Sequence, residues 1–505
     1  METTVRDLMT SPAVTCTGAD PLSVAAQLME GADIGSVVVT EHGKIAGILT
    51  ERDLLRAVAA TRGSDREPVR LWMTAHPDVL RPDEKVDAVW SSLTAQRYRH
   101  LPVVDGDELV GLVSLRDLMR FARIRPATEI TGDAPEGLEG VVVAETTVGD
   151  VRGQQGFFHY RQYSAVDLAE QRSLEDVWHL LFRGELPDPA SSTPFTDEVR
   201  SRRELPPGLR QLLPSLCLTG SPLDALRTAV SVLGAELGWR PTHDIGPDEL
   251  QEQAMGLCAV VPTILAAVYR LRQGSDPIPP RDDLGFAANY LFMLTGEAPP
   301  VRHARAIEQY MVLTIDHGFN ASTFTARVVT STGADLGAAI VAAIGALSGP
   351  LHGGAPSRAL DMLDAIGTAD RAEAYIRQQV EGGERIMGFG HRVYKTDDPR
   401  SLLLRAVTMR LGGPMVALSQ AVERTIVEVL AELKPGRQLY TNVEFYAGVV
   451  MYTCGIPREM FTPTFAAGRM IGWSTHVMEQ ALHNRLIRPS ARYTGPTPPQ
   501  PVPGL

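Results

Sequence analysis

The sequence has no excess of positive charge, no long unbroken hydrophobic run and few cysteines, and each shortage removes a class of function. Its 48 Lys and Arg stand against 60 Asp and Glu, a formal charge of −12 with a pI near 5.5. A nucleic-acid binder needs a basic face to neutralise phosphates, so no nucleic-acid partner is expected, and an anionic substrate must be met by local arginines. The longest apolar runs, such as Leu336 to Leu347, fall well short of a membrane span, and the opening METTVRDLMT lacks the charged-then-apolar layout of a signal peptide. The expectation is a soluble, cytoplasmic protein with no membrane partner. Cys16, Cys217, Cys258 and Cys454 are scattered without pair spacing, which suits buried thiols in a reducing compartment rather than a disulfide frame or a metal site.

What is present is length and repetition. At 505 residues, 44% of them hydrophobic, the chain can bury more than one core, so at least two domains are expected. Sliding the sequence by 64 residues overlays Met9-Thr10 on Met73-Thr74, Gly47 on Gly111, and Arg52-Asp53-Leu54 on Arg116-Asp117-Leu118, without a gap. Each copy, about residues 1–60 and 65–122, reads as a helix, a β-rich run (Ser36 to Thr40; Leu101 to Val104), a turn (EHGK; DGDE), a second strand (Ile45 to Leu49; Leu109 to Val113) and a helix. Asp20-Pro21 reads as the start of the first helix, a capping carboxylate followed by proline at the first helical position.

This pattern resembles a tandem pair of CBS domains, covering residues 1–122. The resemblance implies an α/β pair that docks into a disc and binds adenine nucleotides (ATP, ADP or AMP) between the repeats. Its ligand-contacting Ser/Thr and Asp, three residues apart at the strand-to-helix turn, correspond to Thr50 with Asp53 and Ser114 with Asp117. A hydroxyl near a helix N-terminus can share a phosphate with backbone amides, and a carboxylate can accept both ribose hydroxyls. The same residue types also serve as helix N-caps, and both readings stand at this point.

After Ala122 comes RIRPATEITGDAPEG, poor in apolar residues and carrying two prolines, a linker placed at 123–136. Beyond it, helical runs dominate: Ser173 to Arg183, Asp224 to Leu237, Leu257 to Leu271, Leu336 to Leu347 and Gly413 to Leu433. Several are nearly all apolar, which implies helices surrounded by helices, in a large globule with a buried central hairpin. Residues 494–505 form a proline-rich tail read as disordered.

Four clusters and one upstream segment carry chemistry. Gly349-Pro350-Leu351-His352-Gly353-Gly354 sets a histidine among residues that bare the backbone, although a lone histidine in an apolar region also fits a satisfied core residue. Gly388-Phe389-Gly390-His391-Arg392-Val393-Tyr394-Lys395, with Arg400 nine residues past the histidine, suits a polyanion; a basic surface loop is the plainer reading. Thr441 to Gly448 places Glu444 among aromatic and apolar residues, where desolvation raises a carboxyl toward general-base range. Met460-Phe461-Thr462-Pro463 leads through Arg469 to Arg485 and Arg488, and Asp316-His317-Gly318-Phe319-Asn320-Ala321-Ser322-Thr323 lies upstream. No metal motif occurs among them.

In this order the clusters resemble the citrate synthase family, from GLEGVVVAET at Gly137 to NRLIRPSARYTG ending at Gly495, a domain placed at 137–493. The resemblance implies a mostly α-helical homodimer, or a higher homo-oligomer, in which a small subdomain of about 350–450 closes over the substrates. It implies condensation of acetyl-CoA or propionyl-CoA with oxaloacetate to citrate or 2-methylcitrate and CoA, with no tightly bound cofactor. His352 would hydrogen-bond the thioester carbonyl while Glu444 removes a proton from the acyl carbon. His391 would polarise the ketone, and His317, Arg400 and Arg469 would hold the carboxylates of the 2-oxo acid. Arg488 would arrive from a partner subunit, and CoA would lie along Leu347, Gly349, Gly353, Gly388 and Gly390.

Two positions depart from the family pattern. Glu444 stands where the family has Asp, a methylene longer, and a base misplaced by about 1 Å can lose on the order of 10²-fold in rate. Gly318 replaces the glutamate that would follow His317. The competing reading is therefore a non-catalytic sensor of CoA or citrate and of nucleotide, disabled at Glu444.

Overall fold

The computed structural model describes residues 4–32, 34–60, 64–86, 100–106, 108–114, 136–138, 140–217, 220–350, 352–353, 355–384, 386–390, 393–394, 396–434, 439–496 and 498. The chain divides into two compact units, Met1–Glu139 with Ser490–Leu505, and Gly140–Pro489. The linker expected at 123–136 and the end of the tail lie almost wholly outside the described residues.

In the first unit the repeats complete each other's sheets. Strand β1 (Thr15–Cys16) runs parallel to β2 (Ser36–Glu41), which pairs antiparallel with β3 (Lys44–Thr50); β3 pairs with β4 (Thr74–Ala75), a segment of the second repeat. The second repeat's hairpin of β5 (His100–Asp105) and β6 (Glu108–Ser114) in turn receives Thr10 of the first, bridged to Leu112. The repeated glycines make this exchange fit. A Cβ on Gly47 would lie 2.5 Å from Met73 Sδ, and one on Gly111 2.8 Å from Met9 Sδ. Val38, Ile48 and Leu112 close an apolar seam between the hairpins. His42 and Gly43 take positive φ in the β2–β3 turn, as a two-residue hairpin with matching twist demands.

Asp20 does not cap the first helix. That helix spans Leu22–Ala32, and the Asp20 carboxylate instead accepts the upstream Thr17 amide at 2.7 Å. The Asp20 carbonyl accepts Val69 N and Pro21 bridges Pro68, so this dipeptide ties the helix entrance to the start of the second repeat.

The second unit opens with a three-stranded sheet, β7 (Gly149–Arg152), β8 (Phe157–Tyr160) and β9 (Tyr163–Ser164), and is otherwise helical around one continuous core running from Val148 to Val477. Polar caps set the helix starts. Ser173, Ser221, Asn320 and Asp335 each accept the amide three residues on, at 3.0–3.2 Å, filling donors that the first turn leaves unpaired. Thr332 and Gly333 fall between two helices, Ala321–Ser331 and Leu336–Leu347, that pack against each other and against Phe461–Leu482 as the central hairpin.

One helix exceeds what continuous apolar runs suggest. Pro247–Arg272 has 26 residues and is long and apolar enough to cross a membrane by length and composition; 78% of its apolar window is buried inside the chain, as a core helix would be. All four cysteines are free and buried, and burial pushes the Cys258 and Cys454 thiols up to about 12, which makes them unreactive packing groups.

Candidate active site

The site is assembled where helices end. Phe461–Leu482 crosses the end of Val301–Thr314 so closely that a Cβ on Gly472 would lie 2.0 Å from the Ile315 carbonyl oxygen, and one on Gly468 3.2 Å from that of Met311. Arg469, between these glycines, is carried inside. It is 2% exposed, donates from Nε to Thr314 O at 2.6 Å, and has no carboxylate ion-pair partner among the described residues. Burial lowers its pKa, with Asp316 opposing. A buried guanidinium lacking a paired carboxylate is a strong attractor for an anion.

Arg400 is neutralised differently. Asp398, 1% exposed, caps the Pro399–Leu411 helix and binds Arg400 with both oxygens, at 3.0 Å to Nε and 2.8 Å to a terminal nitrogen. The same carboxylate accepts Val443 N at 3.0 Å, which fixes the start of the Val443–Thr453 helix. Phe158 and Tyr394 lie about the guanidinium at 6.0 and 5.6 Å, within reach of cation–π attraction. His317 Nε2 meets the Tyr394 hydroxyl at 3.0 Å, and its ring packs on Phe158.

Glu444 sits in the first turn of its helix, its amide held by the N-cap Asn442 at 3.0 Å. The carboxyl is enclosed by protein with part of its surface still open. Burial raises its pKa to about 7 from an ordinary 4.5; Arg400 and Arg469 pull it down, and Asp398 pushes it up. A group at 7 is matched to proton abstraction at neutral pH. Arg400 and Arg469 both act on Glu444, and Arg469 also acts on His352, so four of the expected residues share one electrostatic neighbourhood.

His352 projects from a tight turn after Leu336–Leu347, in which Gly349 O accepts the amides of His352 and Gly353 at 3.0 and 3.2 Å. A Cβ on Gly353 would lie 2.3 Å from Leu347 O, and Thr462 Oγ1 donates to Gly353 O at 2.8 Å. Burial first, then Arg469, lower the imidazole pKa to about 4, so it is neutral at physiological pH. Its Nε2 faces Ser322 Oγ at 2.9 Å; that oxygen accepts the Trp473 indole N–H at 3.1 Å, and the hydroxyl donates to Asn320 Oδ1 at 2.8 Å. With that proton on Asn320, Nε2 donates to Ser322 Oγ and Nδ1 is the open nitrogen; when the hydroxyl turns its proton to Nε2 instead, the ring carries its own proton on Nδ1 and can donate there.

The Gly388–Gly390 loop is laced to the entrance of the Glu444 helix: Gly390 N donates to Tyr440 O at 2.8 Å, Asn442 N to Gly388 O at 2.9 Å, and Asn442 Nδ2 to Gly390 O at 2.9 Å. Gly388 has φ +83°, and a Cβ there would stand 2.8 Å from that of Phe445. Gly388→Ala is therefore expected to destabilise the fold by more than about 1 kcal/mol and to lower kcat by roughly 10- to 100-fold through a shifted loop, measured by thermal melting and steady-state kinetics.

The chain thus brings together His317, His352, Arg400, Glu444 and Arg469. His391 lies outside the described residues, directly after the laced loop. Arg488 is exposed, in the segment that follows the last helix. Sequence reasoning did not single out Ser322, Trp473, Tyr394, Phe158 or Asp398; of these only Asp398 had a legible signal, an acidic residue before Pro399 at a helix start.

In the first unit a pocket of about 310 Å³ is lined by residues that include Thr50, Thr74, His76, Asp78 and His100. Asp53 acts as a cap: it accepts the Thr50 amide at 3.0 Å and the Thr50 hydroxyl at 2.7 Å, and pairs with Arg56 at 3.1 Å. Ser114 ends β6, while Asp117 lies outside the described residues.

Residues 137–490 match the family model for the citrate synthase C-terminal domain, and residues 5–60 and 69–123 each match the CBS domain model. The chain is 40% identical over 365 residues to a citrate synthase of Deinococcus radiodurans, covering 71% of this chain and 95% of the relative. It is 40% identical over 370 residues to a 2-methylcitrate synthase of Mycobacterium tuberculosis, covering 73% and 93%. Citrate synthase from Thermotoga maritima superposes with a TM-score of 0.65 at 35% identity over 73% of this chain and 98% of that one. The Thermoplasma acidophilum enzyme, solved in ternary complex with carboxymethyl coenzyme A and oxaloacetate, superposes with a TM-score of 0.68 at 27% identity over 74% and 99%. With residues 137–490 matched to the family model and relatives of 40% identity covered over nine-tenths of their length, this chain belongs to the citrate synthase family and is an enzyme of that type, preceded by two CBS domains.

Proposed function

We propose that the chain condenses oxaloacetate with acetyl-CoA or propionyl-CoA, using Glu444 as the base, and that an adenine nucleotide (ATP, ADP or AMP) bound by the CBS pair adjusts the rate. The observation that carries the reading is the pairing of Glu444, raised to about 7, with a His352 held neutral at about 4, under the influence of the same Arg469. Proton abstraction from a thioester α-carbon needs such a pair, a carboxylate to take the proton and a neutral donor for the oxygen that gains charge.

In this reading the Ser322 hydroxyl turns its proton to His352 Nε2, and the Glu444 carboxylate takes a proton from the acyl α-carbon while the His352 Nδ1 proton stabilises the thioester oxygen as an enol forms. The enol carbon attacks the ketone of oxaloacetate and forms the new C–C bond, and His391 supplies the proton to the alkoxide. Water then cleaves the thioester, giving citrate or 2-methylcitrate and free CoA. Arg469, buried without a paired carboxylate among the described residues, Arg400 and His317 hold the carboxylates of the 2-oxo acid. Arg488, exposed in this chain, completes the site of a second copy in a homodimer. Acyl-CoA lies along Leu347, Gly349, Gly353, Gly388 and Gly390, where side chains would crowd it. Closure of residues 350–450 excludes water from the enol.

At the front, the Thr50-lined pocket suits a nucleotide, with Thr50 or Ser114 toward phosphate and Asp53 or Asp117 toward ribose. Ligand at that position must displace or share the Thr50–Asp53 bond, and of the two residues Thr50 is the one that lines the pocket. A nucleotide changes activity only if its affinity differs between two states of the enzyme.

The test is CoA release by the purified full chain with oxaloacetate and either acyl-CoA, each with and without ATP or AMP. Turnover with one acyl-CoA supports the reading and identifies the substrate; binding of both substrates without release favours the non-catalytic sensor. A one-methylene difference in the acyl group is worth only about 1–3 kcal/mol, so measurable activity with both is expected.

A further inference from the structure

Behind His317 runs a closed line of buried polar groups that the condensation chemistry does not use. Arg327, 3% exposed, sends Nε to Gln480 Oε1 at 3.0 Å, one terminal nitrogen to His476 Nδ1 at 3.2 Å and to the Glu479 carboxylate, and the other to Glu145 O at 3.4 Å. Arginine only donates, so His476 Nδ1 accepts and its proton sits on Nε2. That nitrogen faces Asp316 Oδ1 at 3.2 Å, with His476 wholly buried. The other Asp316 oxygen accepts Gly318 N at 3.1 Å, and the Asp316 carbonyl accepts the Tyr160 hydroxyl at 3.2 Å. Phe319 packs edge-on to His476 and under Arg327. The turn bearing His317 is thus held at Asp316, Gly318 and Phe319 by one chain of contacts.

The far end of that chain reaches the beginning of the unit. Glu479 Oε1 accepts the Thr147 amide at 2.6 Å and the Thr147 hydroxyl at 2.9 Å. Burial opposes its ionisation, yet the Thr147 amide and the Thr146, Arg327 and Thr147 side chains hold its carboxyl down to about 2. Glu145 and Thr147 belong to the segment through which the chain enters the catalytic unit from the CBS repeats. Every charge in the line has a partner, so a break at one link leaves another buried group unmatched.

We propose that Glu479, Arg327 and His476 are positioning residues that fix the Asp316–His317 turn for the 2-oxo acid, and that the seating of Glu145–Thr147 sets how firmly they do so. This rests on the condensation reading for the identity of the acid. It gives the entering segment a physical route to the substrate carboxylate site, which lies about 170 residues away along the chain but only four side chains distant through Glu479, Arg327, His476 and Asp316.

His476→Phe, His476→Gln, Glu479→Gln and Thr147→Val in the full chain test it. His476→Phe and Glu479→Gln are expected to raise the KM for oxaloacetate roughly 3- to 30-fold, with the KM for acyl-CoA unchanged. His476→Gln, which keeps a donor near the Nε2 position, recovers most of the loss. Thr147→Val, at an exposed position, shifts the same parameter in the same direction and carries the test if the buried variants do not fold. Calorimetric affinity for oxaloacetate follows the KM. Unchanged oxaloacetate KM and affinity in folded variants overturn the proposal while leaving condensation intact; a wild-type chain that neither binds oxaloacetate nor releases CoA overturns both.

Discussion

Replacing Glu444 by Gln is expected to lower kcat for CoA release by about 10²- to 10⁴-fold, the usual contribution of a general base, while making the protein more stable at alkaline pH. The second effect follows from the sign of the shift. The carboxyl is raised from 4.5 to about 7 in the fold, so the folded state favours the protonated form. Below pH 4.5 there is no penalty. Between 4.5 and 7 the unfolded chain ionises first and stability is lost, and above 7 the loss is constant at about 3 kcal/mol. Glutamine never ionises, so the variant should gain up to that amount at pH 8 and almost nothing at pH 4.5, measured by denaturant unfolding at both values. A residue that weakens the fold while serving the reaction is the expected signature of a functional group. If Glu444 were a structural carboxylate, its removal would destabilise.

Asp398→Ala should behave in the opposite way, losing stability and activity together. Asp398 is buried and accepts from Arg400 Nε, an Arg400 terminal nitrogen, the Arg400 amide and the Val443 amide. Its removal leaves a buried guanidinium without this counter-ion and frees the N-terminus of the Glu444 helix. Breaking one side of a buried pair typically costs about 3–5 kcal/mol, and the same protocol of denaturant unfolding reads it. The contrast between two acidic residues facing one arginine separates a structural carboxylate from a reactive one.

The sequence made some of this readable and left the rest hidden for physical reasons. Leu336–Leu347 was readable to the residue because its cap Asp335 and its apolar run coincide. The helix expected at Leu257 to Leu271 starts ten residues earlier, at Pro247, because its first turns carry Asp248, Glu249, Glu252 and other polar side chains that mask the apolar period. Asp20 misled because a carboxylate before proline caps a helix only when the chain turns that way, and here Thr17 takes it. The five residues proposed for the site were legible through motifs whose order along the chain resembles the family's. Ser322, Trp473 and His476 were not, since their roles come from hydrogen bonds across about 150 residues of sequence, and neither periodicity nor spacing encodes such partners. Thr50 and Asp53 show the converse: the motif was plain, and the structure gives its capping use in full.

The most direct test of the account is the pH dependence of kcat/KM for CoA release by the wild-type chain with oxaloacetate and its preferred acyl-CoA. With Glu444 as the working base, activity is present at neutral pH and falls tenfold per unit below about 7, with His352, already neutral above about 4, adding no limb in that range. Turnover that stays flat from pH 8 down to 5 would remove Glu444 from the mechanism, and no CoA release at any pH would leave the site a sensor rather than a catalyst.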